Sequence, residues 1–147
     1  MLGDAIFLLL TGLASVLVFA LMAARRRRAT RASAGPLQWV TGCSPERCKE
    51  LLERVDGTEL FHYRFTPAPD GTGGRLALTG YEPRNAGFFC APAGHSVYEV
   101  RWERRDGRTC LVLTYVPWRA GAQPCVSAAA LSRFLARKVA AEPLAAA

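Results

Sequence analysis

"VYEVRWERRDGRTCLVLTYVPW", residues 97–118, consists of two strand-like runs joined by Asp106-Gly107. The two central positions of a type I′ turn both need positive φ, which Asp tolerates and Gly adopts freely. A two-residue turn at this pair places Arg105 opposite Arg108. It follows that Trp102 faces Leu111, Val100 faces Leu113 and Tyr98 faces Tyr115, with all three apolar pairs on one side. The other side receives Glu103 with Cys110, Arg101 with Val112 and Glu99 with Thr114, and is mostly polar. A slip of one residue would send the apolar set to the solvent side. Turn chemistry and hydrophobic pattern therefore specify the same register, that of an antiparallel sheet with one buried face.

Upstream, Arg75 to Glu82 and Thr58 to Thr66 read as two more strands. In the second of these Phe61, Tyr63 and Phe65 alternate with His62 and Arg64. Pro67 to Gly74 between them reads as a long hairpin loop, and Phe88-Phe89-Cys90 as a further short strand. Leu37 to Gly42 reads as a brief strand leading into a helix capped by Ser44, with Pro45 at its first position and Glu46 in its first turn. Cys48, Leu51, Leu52 and Val55 give that helix one apolar stripe, and Asp56-Gly57 is its expected stop. Downstream, Pro117 ends the last strand. Ser127 then caps a longer helix whose stripe is Leu131, Phe134, Leu135 and Val139, with Pro143 just beyond it.

The expected fold class is therefore α+β: a small antiparallel sheet of four to six strands with one helix before it and one long helix after it. In outline this order also resembles the helix-grip arrangement of lipid-binding cups. That resemblance implies, as an alternative, a small apolar ligand or lipid held between the sheet and the C-terminal helix.

Ahead of this domain, Ala5 to Ala24 is an uncharged run whose only polar side chains are those of Thr11 and Ser15. About 20 residues at 1.5 Å rise span a hydrocarbon core of roughly 30 Å, so the run reads as a transmembrane helix. The formal charge of the chain is +7, and Arg25, Arg26, Arg27, Arg28 and Arg31 carry most of that excess directly after the run. A secretory signal would carry its basic residues before the apolar segment, so the order favours an uncleaved anchor. Arginines flanking a helix stay cytoplasmic, which places the N-terminus outside and the domain inside. These five arginines are the expected membrane-interface residues, partnered by anionic headgroups. Thr11, Gly12 and Ser15 leave one helix face small, a hint of weak homodimerisation. The expected divisions are a short external segment 1–4, the helix 5–24, a basic linker 25–36, the domain 37–142 and a frayed tail 143–147.

The chain contains five cysteines, an odd number without C-x-x-C, which suits a reducing compartment. Cys43 and Cys48 lack a second ligand pair, so no metal is expected. Cys90 near His95 is the best pairing for a nucleophile, but a sheet-edge cysteine near an exposed histidine is the simpler reading. Gly71 to Gly74 lacks the lysine and the following helix that hold a phosphate. No catalytic residue or cofactor is expected, and outside the arginine block the charges are mixed in sign, which argues against nucleic acid. Trp39 and Trp118, near strand ends, are the expected exposed aromatics, marking a contact surface or resting on the bilayer interface. With Tyr63, Tyr98 and Leu131 they make up the residues expected at a pocket or contact. The expectation for function is a membrane-anchored module that binds a protein partner, the alternative being a tethered carrier or enzyme for an apolar ligand.

Overall fold

The computed structural model describes residues 2–33, 35–56, 62–80 and 94–144. Helix α1 (Leu2–Ala32) is followed by β1 (Leu37–Thr41), α2 (Pro45–Glu53), β2 (His62–Pro67), β3 (Gly73–Gly80), β4 (Gly94–Arg105), β5 (Arg108–Val116), α3 (Ala128–Val139) and β6 (Glu142–Pro143). The strands form one six-stranded antiparallel sheet in the order β2-β3-β4-β5-β1-β6.

The β4–β5 hairpin has the expected register throughout, from Arg105 opposite Arg108 to Tyr98 opposite Tyr115. Asp106 and Gly107 adopt φ of 50° and 75°, the left-handed values that the turn requires. The same face continues across the sheet. Trp39 lies beside Leu111, Leu76 beside Tyr98 and Phe65 beside Leu76. Helices α2 and α3 cover this face through Cys48 and Leu52 and through Leu131, Phe134, Leu135 and Val139, which join the strand residues in one core. Both helices start where their serines indicate: Ser44 accepts from the Arg47 amide at 3.2 Å and Ser127 from the Ala130 amide at 3.1 Å.

Several boundaries differ from expectation, each for a local reason. Gly73 and Gly74 are strand residues, paired with Arg101 and Val100, and the β2–β3 loop shrinks accordingly. A Cβ on Gly73 would run into the Val100 carbonyl, and one on Gly74 into the Phe65 ring and the Thr66 carbonyl, so glycine here permits close strand approach. Helix α2 stops at Glu53, before Asp56-Gly57, and Val55 is 59% exposed, outside the apolar stripe. At the other end of the domain α3 closes on Ala140, which takes a left-handed φ of 48°. Pro143 is no frayed residue: Glu142 and Pro143 pair with β1, and the Leu144 amide donates to the Gln38 carbonyl at 2.9 Å. His95 lies within β4. The expected strand at Phe88-Phe89-Cys90, and with it Phe61, Tyr81 and the thiol of Cys90, falls outside the described residues.

Candidate functional site

Helix α1 begins at Leu2 and does not end at Ala24; it continues through all five arginines to Ala32, where a linker was expected. Arg and Ala are among the strongest helix formers, and nothing before Gly35-Pro36 breaks the pattern. The Thr30 hydroxyl bonds back to the carbonyls of Arg26 and Arg27, both at 3.2 Å. At 100° per residue Arg25 to Arg28 point in successive directions around the axis, so the basic block is a collar. All four side chains are exposed.

Above the collar, α1 is the one helix among the described residues long and apolar enough to cross a membrane. Its large apolar side chains from Ile6 to Met22 are between 51% and 73% exposed. The hydroxyls of Thr11 and Ser15 turn back onto their own helix, donating to Phe7 and Thr11 carbonyls, each at 2.9 Å. Neither hydroxyl needs a partner from another helix.

The root of α1 is joined to the domain through a buried side chain. Ser33 is fully buried, and its hydroxyl bridges the Thr30 and Val126 carbonyls, 2.6 Å from each. Val126 directly precedes the cap of α3, so a single hydroxyl joins the end of α1 to the start of α3. Beneath this joint lie further polar groups. The Ser96 hydroxyl accepts from the Cys125 amide at 2.7 Å and donates to the Cys125 sulfur at 2.9 Å. The Tyr98 and Tyr115 rings pack 5.6 Å apart, and the buried Tyr115 hydroxyl has no hydrogen-bond partner among the described residues. Burial pushes the Tyr98 phenol above its ordinary value, with the neighbouring Ser33 hydroxyl partly offsetting the rise. Tyr115 is raised for the same first cause, with Cys125 adding to it.

The residues expected at a pocket separate into core and surface. Tyr63, Tyr98 and Leu131 are packed: the Tyr63 ring meets Phe134 edge-on at 4.9 Å, and its hydroxyl donates to the Arg54 carbonyl at 3.0 Å. Trp39, expected at the surface, is only 2% exposed. Its place opposite Leu111 turns it toward the helices, where its indole N–H donates to the Ser132 hydroxyl at 3.1 Å. Trp118 is 71% exposed, with the Arg119 guanidinium over its ring at 4.5 Å.

The face of the sheet turned away from the helices carries exposed Arg64, Arg75, Glu99, Arg101 and Glu103, with Val97, Val112 and Val116 partly exposed among them. At one corner of the sheet Asp70, Thr72, Arg75, Glu99 and Arg101 contribute to a groove of about 530 Å³. Asp70 accepts from the Thr72 amide and hydroxyl, which lowers its carboxyl from the ordinary value. This groove was missed in the sequence because it depends on Gly73 and Gly74 being in the sheet.

Among the described residues no three His, Cys, Asp or Glu side chains gather as metal ligands, and Cys43, Cys48, Cys110 and Cys125 are free thiols. His62 and His95 are both exposed, on either side of Thr79 in the strand register. Compared with protein-family models, with curated proteins and with solved structures, the chain matches none of them.

Proposed function

We propose that this chain is a single-pass membrane protein whose α1 crosses the bilayer with its N-terminus outside, holding the α+β domain at the cytoplasmic face as a protein-interaction or scaffold module. One observation carries the reading: α1 presents an uncovered apolar band, Ile6 to Ala24, whose rise of about 28 Å matches a hydrocarbon core. Such a band left in water would drive aggregation. The arginine collar follows the band, holds that end on the cytoplasmic side and attracts anionic headgroups, by about 1 kcal/mol for each residue near the surface. A partner protein is best accommodated by the open sheet face, where partly exposed valines are surrounded by charges of both signs. The small stretch at Thr11, Gly12 and Ser15 would allow a second α1 to approach, since a Cβ placed on Gly12 meets nothing within 4 Å.

Alkaline carbonate extraction of membranes tests the anchor, and protease treatment of tagged cells tests its orientation. The chain is expected to stay in the membrane pellet until detergent is added, with a C-terminal tag cleaved only after permeabilisation. Release by carbonate, or cleavage of that tag in intact cells, would overturn the proposal.

A further inference from the structure

The turn from β5 into α3, Pro117 to Cys125, carries at its second position the most exposed aromatic among the described residues and ends one residue before the carbonyl that receives Ser33. It is therefore placed at the same end of the domain as the root of α1. Trp118 is three residues past Tyr115, so their Cα atoms are at most about 10 Å apart. The Tyr115 ring lies 5.6 Å from that of Tyr98, whose phenol faces Ser33. Ser33 in turn stands about 13 Å along the helix from Ala24. The polar headgroup layer on one side of a bilayer is about 5–8 Å deep, so Ser33 stands about 5–8 Å beyond it along α1.

Within this turn Trp118 presents its ring to solvent, and the Arg119 guanidinium stacks on that ring. The segment Pro117 to Cys125, PWRAGAQPC, contains no acidic residue. Tryptophan is the side chain most at home where hydrocarbon meets headgroup, and an arginine held against it is placed to bind lipid phosphate.

We propose that Trp118 and Arg119 form a second contact with the membrane that α1 crosses, the indole seated at headgroup depth and the guanidinium on an anionic lipid phosphate, so that the domain lies against the bilayer. This rests on α1 spanning the membrane.

The test uses full-length protein in nanodiscs of phosphatidylcholine and phosphatidylglycerol in equal parts, with tryptophan emission as the readout. Trp39 and Trp102 are buried, so the difference between wild type and Trp118→Phe isolates the third indole. The expected Trp118 component is blue-shifted, protected from aqueous iodide and quenched by lipids brominated near the top of the acyl chain. Arg119→Glu is expected to restore iodide quenching in these discs. A Trp118 component that stays red-shifted and iodide-accessible, without bromolipid quenching, would overturn the contact. Failure of the protein to enter nanodiscs at all would instead overturn the anchor, and co-purification with the discs separates the two outcomes.

Discussion

At the scale of single residues, the polar groups placed in the core differ in what they cost. The hydroxyls of Ser33 and Thr41 and the indole N–H of Trp39 all reach acceptors. Tyr115 Oη is buried and has no hydrogen-bond partner among the described residues. Leaving such a group unpaired costs roughly 1–3 kcal/mol, so Tyr115→Phe is expected to raise stability by about 1 kcal/mol, read from the urea midpoint of the full chain in detergent. Cys48 shows the effect of burial on an ionisable group. Burial, with Cys43 and Glu46 adding to it, pushes its thiol up from about 9 to about 12. Below pH 9 the thiol is neutral in both the folded and the unfolded chain. Between pH 9 and about 12 the unfolded chain releases its proton while the folded one retains it, so stability is lost as pH rises through that window. The tyrosines act in the same sense. A plot of urea midpoint against pH should therefore fall for wild type and fall less steeply for Cys48→Ala.

At the scale of elements, the β4–β5 hairpin depends on two left-handed residues. Gly107→Ala places a Cβ at φ 75° and is expected to lower stability by about 1 kcal/mol, measured by the same denaturation. This hairpin was readable in the sequence because turn chemistry and side-chain alternation are both local and agree on one register. The caps at Ser44 and Ser127 were readable for the same reason, since each uses atoms within three residues of its own backbone. What the sequence concealed depends on distant neighbours. Gly73 and Gly74 look like loop residues until Val100 and Phe65 are placed against them. Trp39 looks exposed near its strand end until β5 fixes which way it faces. The pairing of Glu142 and Pro143 with β1 joins residues more than a hundred positions apart, and Pro143 gives no strand signal of its own. The collar was missed for another reason: arginines and alanines after an apolar run mark a membrane boundary, and the same residues are strong helix formers.

At the scale of the whole molecule, α1 and the domain are joined by a bonded seam, and Ser33 is its centre. Replacing that hydroxyl by Ser33→Ala leaves the buried Val126 carbonyl without its donor. The expected result is a loss of about 1 kcal/mol, together with faster amide exchange at the amino end of α3, measured by hydrogen–deuterium exchange. An unbroken helix that ends in a fixed joint has one more property. With 3.6 residues per turn, each residue inserted between the collar and Ser33 swings the domain by about 100° around the helix axis. One alanine added after Ala29 would point the open sheet face in a different compass direction relative to anything packed beside α1. Four added residues would nearly restore the original bearing. The direction in which the domain faces its neighbours is thus set by the number of residues in α1.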